Sequence, residues 1–175
     1  MVIAGIDADS NGVHIVRLNL DDNDATYNRI RVDNVKGDAH QRARRLRDLM
    51  PARGAWKDHG VIRFAIEQPM TKPGYGGLKS AVPQAILRGA LVACLPVDIP
   101  LEVLTPSEWK RWSLGGGERG QGNADKAAVR AWAQQRWPNP PDHVTQDAYD
   151  AFCVAWSARA LQDTTAAHNG RSTIP

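Results

Sequence analysis

The chain has 175 residues, 42% of them hydrophobic and 23% charged, a size and balance that fit one soluble globular domain with a core of its own. Its formal net charge is +3 and its pI about 9.1, too mild an excess to establish nucleic-acid binding by itself, although Arg42, Arg44, Arg45 and Arg47 fall together and so do Asp21, Asp22 and Asp24. Two cysteines without metal-ligand spacing, Cys94 and Cys153, argue against a disulfide framework and fit a reducing cytoplasm, and no apolar run has the length of a membrane span.

Residues 2–8, 12–20 and 26–33 read as three strands. The first is the apolar run Val2-Ile3-Ala4-Gly5-Ile6, which Asp7 interrupts too early for a secretory leader. The second alternates less cleanly, Val13, Ile15 and Arg17 against His14, Val16 and Leu18. Turn residues at 9–12 and 21–24 join the three as a meander of hairpins. Residues 38–50 form an arginine-rich helix with Ala43, Leu46, Leu49 and Met50 as its apolar stripe. A fourth strand at 61–67 ends in Glu67, and Pro69, Pro73 and the glycines at 74, 76 and 77 then break regular structure.

A helix at about 80–95 carries Val82, Ala85, Ile86, Gly89 and Ala93 at helical spacing, with Pro83 in its first turn. A short strand follows at 101–104. Pro106 opens a helix behind Thr105, a glycine-rich loop at 113–122 is expected to be mobile, and Asn123 caps a helix over 124–137. Thr145 caps the last helix, which runs to about Leu161. The domain is expected to span 1–162, with a polar, flexible tail at 163–175. Three meander strands followed by alternating helix and strand give an α/β protein, a mixed five-stranded sheet flanked by helices. The ribonuclease H-like fold has this order.

The chemistry points to four carboxylates. Asp7 and Glu67 end strands that, as parallel neighbours, would place both acids in one crevice. Asp147 and Asp150 are three residues apart, about 60° around a helix, and share a face. Phe152, Val154, Ala155 and Leu161 would hold that helix on the sheet. Four carboxylates repel one another unless cations neutralise them, and hard oxygen donors suit Mg2+. Two such ions close together drive phosphodiester hydrolysis.

Gly5-Ile6-Asp7, Ile66-Glu67-Gln68, Thr105-Pro106-Ser107-Glu108-Trp109-Lys110, Ala124-Asp125-Lys126 and Asp147-Ala148-Tyr149-Asp150-Ala151-Phe152 occur in the order and context of the RuvC family of Holliday-junction resolvases. The chain resembles that family from residue 3 to about 160. The resemblance implies Asp7, Glu67, Asp147 and Asp150 as ligands of Mg2+ or Mn2+, two ions per site. It also implies Lys126 near the scissile phosphate, a homodimer, and paired nicks across branched DNA that leave 5′-phosphate and 3′-hydroxyl ends. On two-metal logic one ion would lie between Asp7 and a helix aspartate, the other between Asp7 and Glu67.

The chain departs from the family pattern at two places. Ala8-Asp9 replaces the usual Pro-Gly, adding an acid that reads more readily as a turn residue than as a ligand. Pro69 and Met70 stand where an aromatic commonly works at the junction, and Tyr75 is the nearest aromatic. This divergence suits a phage-encoded relative, acting in the host cytoplasm.

Lys72, Tyr75, Lys79, Lys110, Arg111 and Arg119 are the candidates for DNA contact. The arginines at 42–47 read as a solvated helix face. Among six tryptophans, Trp132 and Trp156 read as core, and Trp109 and Trp112 either pack or stack on bases or a partner. The five histidines show no ligand spacing, with His143 the one near enough to Asp147 to reach the acids. The same acids would equally serve a nuclease acting on a flap or on the RNA strand of a hybrid. An ATP-binding protein of the actin and sugar-kinase superfamily would need a glycine-rich loop where Ala8-Asp9-Ser10-Asn11 stands. A nuclease-dead binding module is disfavoured, because every expected acid is present.

Overall fold

The computed structural model describes residues 1–9, 11–32, 38–68, 77–114 and 124–171. Five strands form one sheet in the order β3-β2-β1-β4-β5, with β1 at Val2–Ala8, β2 at Gly12–Asn19, β3 at Ala25–Arg31, β4 at Val61–Glu67 and β5 at Leu101–Leu104. The first three pair antiparallel as a meander, and β1–β4 and β4–β5 pair parallel. This is the expected mixed sheet, with β1 at its centre.

Helices cover both faces. On one lie α1 (Ala39–Leu49), α2 (Arg53–Asp58) and α3 (Gly77–Cys94), packed through Leu46, Trp56, Leu87 and Leu91 onto Ala4, Ile6, Val13, Ile15, Phe64 and Ile66. On the other lie α4 (Pro106–Ser113), α5 (Lys126–Arg136) and α6 (Gln146–Arg171), packed through Trp109, Ala133, Trp137, Phe152 and Ala155 onto Ile3, Val16, Leu18 and Ala65. Alternate residues of β2 therefore go to two different cores, which is why its alternation is indistinct in the sequence.

Local chemistry sets the starts of α1, α4 and α5. Asp38 accepts from the Gln41 amide at the head of α1. Thr105 and Glu108 form a capping box around Pro106 at the head of α4. The α5 cap is Asp125, which accepts from the Ala128 amide at 2.8 Å; Asn123, expected in that role, lies outside the described residues.

Five expectations change. The short helix α2, which buries Trp56, has no counterpart in the sequence reading; its six residues are too few to show periodicity. The apolar stripe assigned to α3 is the wrong face. Val82, Ala85, Gly89 and Ala93 are exposed, Ile86 is half-buried, and Leu87 and Leu91 are buried. Apolar residues stand nearly all round this helix, so spacing alone does not select its inner side. Starting at Gly77 also puts Pro83 inside the helix rather than in its first turn. Finally, α6 continues to Arg171, because Thr164-Thr165-Ala166-Ala167 holds no breaker. In α1, Leu49 is 39% exposed and leaves the stripe to Ala43, Leu46 and Met50.

Gly5 fixes how close α6 comes. A Cβ there would lie 2.1 Å from the Ala151 carbonyl oxygen and 2.6 Å from the Ala155 nitrogen. Only glycine lets the helix backbone lie on β1, two residues from Asp7. Between Ala148 and Ala158 the helix is buried nearly all round, as a central element. No described helix is long and apolar enough to cross a membrane.

Candidate metal centre

The parallel register pairs Ile6 with Ile66, so Asp7 and Glu67 emerge side by side, one residue further on, on the α6 face. The first turn of α6 brings Asp147 and Asp150 to the same place. One carboxylate oxygen each from Asp7, Asp147 and Asp150 lie within 4.8 Å of one another. Glu67 stands beside this trio, and its charge, after burial, is the strongest influence raising Asp7.

Electrostatics records the crowding. Asp7 is held well above the usual carboxylate range by burial first, then by the charges of Glu67, Asp150, Asp147 and Asp9. Glu67 is pushed up to about 7, by burial and then by Asp150, against the Trp109 indole, Lys110 and Arg88, which pull it down. Burial also raises Asp150, assisted by Asp147 and opposed by Gln146, Lys126 and Lys110. Acids this close, and in part withdrawn from water, are costly as anions without a counter-charge. An all-oxygen set of this kind fits a hard divalent cation, and Asp7, Glu67, Asp147 and Asp150 are the residues that can hold one.

Several side chains fix these acids in place. Trp109 is buried in α4 and donates its indole N–H to Oε2 of Glu67 at 3.0 Å. Arg88 of α3 donates to the Glu67 carbonyl at 2.6 Å, and Gln146 donates to Oδ1 of Asp150 at 2.9 Å. The sequence reading missed Arg88 and Gln146 as supports. Of the two tryptophans in α4, Trp109 packs in the core and Trp112 is half-buried. Trp132 and Trp156 are also only half-buried, stacked edge-on against each other at the rim of the core.

The histidine that reaches the acids is His14, not His143. In the antiparallel ladder Asp7 pairs directly with His14, which puts the ring on the α6 face beside the acids. Its Nε2 stands 3.6 Å from Oδ2 of Asp147. Burial lowers its pKa against the attraction of Asp147. His143 is exposed and lies against Tyr27, with ring centroids 5.8 Å apart. The signal for His14 was available in the hairpin: a turn centred on residues 10–11 places residue 14 opposite residue 7. Asp9 does act in the turn, accepting from the Asn11 and Gly12 amides at 2.6 and 2.9 Å.

Lys126, at the start of α5, is exposed, and its charge reaches Asp150. Lys110 sits over the Trp109 ring, 5.5 Å from its centroid, and its charge reaches both Glu67 and Asp150. Arg111 is half-buried one residue further along α4. Lys72, Tyr75 and Arg119 lie outside the described residues, as do most of the glycine-rich loop and the side chain of Lys79. Arg44, Arg45 and Arg47 are exposed on α1, in the helical layer across the sheet from the acids.

No family model matches the chain, and no curated protein matches it in sequence. Its fold does match solved structures. The RuvC of T. thermophilus in complex with a Holliday junction substrate superposes with a TM-score of 0.73 at 16% identity, over 94% of this chain and 96% of that one. A second Thermus thermophilus RuvC structure gives a TM-score of 0.67, also at 16% identity, over 94% and 97%. The chain has the ribonuclease H-like fold of RuvC over nearly its whole length.

Proposed function

We propose that the protein is a metal-dependent, structure-selective DNA endonuclease that resolves Holliday and other branched junctions. It makes paired nicks that leave 5′-phosphate and 3′-hydroxyl ends, and it acts as a homodimer in the cytoplasm of its cell or, for a phage gene, of the host. The observation that carries this reading is the convergence of Asp7, Glu67, Asp147 and Asp150 at the ends of β1 and β4 and the head of α6, on the fold of RuvC. That neighbour was solved with a junction substrate.

Two Mg2+ or Mn2+ ions bound by these acids supply the positive charge that favours attack of water on the phosphate and departure of the 3′ oxygen. The chain's own groups do the rest. Trp109 and Arg88 hold the end of β4 so that Glu67 faces Asp7. Gln146 sets the rotamer of Asp150 from the preceding turn. Lys126 offsets charge that builds on the phosphate during the reaction. Lys110 and Arg111 take backbone phosphates on either side, and Lys72, Tyr75, Lys79 and Arg119 extend this contact to the junction arms.

The test is cleavage of a synthetic four-way DNA junction by wild type and Asp7→Asn, with Mg2+, with Mn2+ and with chelator. Linear duplex, a flap and an RNA/DNA hybrid serve as controls. Symmetric, metal-dependent nicks that vanish in the variant are expected. Intact junctions beside a cleaved hybrid or flap would overturn the substrate and leave the chemistry.

A further inference from the structure

We propose that Asp9, His14 and Asp147 form an additional divalent-cation site that shares Asp147 with the acidic group and takes an ion that accepts nitrogen, such as Mn2+ or Zn2+. A carboxylate oxygen from each aspartate and a ring nitrogen of His14 lie within 4.8 Å of one another. Nε2 stands 3.6 Å from Oδ2 of Asp147. Two ligands on one tetrahedral ion, each about 2.1 Å from it, are about 3.4 Å apart. The pair is therefore already near coordinating separation.

The second observation is the state of the imidazole. His14 is fully buried, and its Nε2 has no hydrogen-bond partner. A buried ring nitrogen left this way is unusual, because native interiors satisfy their polar atoms. The opposite nitrogen, Nδ1, is engaged by the Tyr27 hydroxyl at 2.8 Å, with Thr145 Oγ1 at 3.4 Å. The Tyr27 ring stacks on the imidazole at 18° between planes. Ligating histidines are held in this manner: an outer contact on one nitrogen fixes the tautomer and orientation and turns the other lone pair to the ion. When Nδ1 donates to Tyr27, Nε2 presents its lone pair toward Asp147.

Asp9 is equally fixed. The turn that joins β1 to β2 pins its Oδ1 through the Asn11 and Gly12 amides and so carries the carboxylate to the mouth of the hairpin. A donor set of one imidazole and two carboxylates distinguishes the site from the oxygen-only group beside it. Imidazole suits Mn2+ and Zn2+, whereas Mg2+ prefers oxygen.

The proposal rests on the nuclease reading only for Asp147, and electron spin-echo envelope modulation on Mn2+ bound to the full chain separates the two. Nitrogen-14 modulation is expected, replaced by the nitrogen-15 pattern when histidine is isotopically labelled, and lost in His14→Gln. His14→Gln should weaken Mn2+ binding at least about tenfold. Glu67→Gln, which alters none of the three ligands, should keep the modulation. Bound Mn2+ with oxygen-only coupling, modulation that survives in folded His14→Gln, or no bound Mn2+ would each overturn the site. Should His14→Gln not fold, the Nε2 resonance of His14 in labelled wild type is followed with Zn2+: a shift supports the site and an unmoved resonance overturns it. Nitrogen coupling in a protein that cuts no junction would sink the substrate and keep this site; junction cleavage with oxygen-only Mn2+ would do the reverse.

Discussion

The indole of Trp109 donates to Glu67 from beneath the site, 3.0 Å from Oε2, while the ring itself is sealed in the core by α6. The contact couples the packing of α4 to the aim of an acid placed to hold a metal ion. Phenylalanine fills most of the same space but cannot donate. Trp109→Phe should therefore fold, cost about 1–3 kcal/mol in denaturant unfolding, and move Glu67 above its already raised value. Carboxyl chemical shifts of the metal-free protein read that movement directly. An unchanged Glu67 titration would show that the indole only packs.

The metal-free fold should lose stability as pH rises. Glu67 has a folded pKa of about 7 against an ordinary 4.5, and Asp7 is shifted the same way. Below about pH 4.5 both states of Glu67 are protonated and the shift has no effect. Between that pH and 7 the unfolded chain ionises while the folded chain resists, and stability falls by up to about 3 kcal/mol for Glu67 alone. Divalent cations reverse the trend by favouring the ionised folded form. Metal-free melting temperature is expected to drop from pH 5 to pH 8, and Mn2+ to raise it far more at pH 8 than at pH 5. Asp7→Asn should flatten both responses. A flat metal-free profile in wild type would contradict the crowding of the acids.

Gly5 sets the spacing between β1 and α6, and no side chain can retreat to make room, since the atoms a Cβ would strike are mostly backbone. Gly5→Ala should cost about 3 kcal/mol or more. In whatever fraction still folds, the head of α6 is displaced from Asp7. Urea unfolding measures the first effect and Mn2+ affinity the second. A neutral substitution would mean that α6 sits further out.

These relationships differ in how much of them the sequence displays. Asp7 and Glu67 stand out because each ends an apolar strand, while the parallel pairing that brings them together is a condition the fold supplies. Asp147 and Asp150 stand out through helical spacing. No alternation marks His14, because β2 is buried on both faces; only the hairpin register, read from the turn, places it beside Asp7. The inner face of α3 is hidden because apolar residues surround that helix, and with it the reach of Arg88 to the Glu67 carbonyl. Trp109 has the composition of an ordinary core residue; its hydrogen bond exists only once α4 lies across the end of β4.

On the nuclease reading, Lys110 would link the acids to a bound nucleic acid. Its ammonium lies over Trp109, and its charge reaches both Glu67 and Asp150. A phosphate drawn to the metal centre would meet this group at the margin of the site. Lys110→Gln should leave the fold intact, since the side chain is only half-buried. It should weaken junction binding and reduce the slope of log K against log salt by about 0.9, the contribution of one neutralised phosphate. Junction binding measured across a salt series at fixed metal decides the matter. A lower affinity with an unchanged slope would mean that Lys110 acts on Glu67 and Asp150 rather than on the DNA, and the same variant would then show a raised Glu67 titration. An altered slope with Glu67 unmoved would place the ammonium on the phosphate alone.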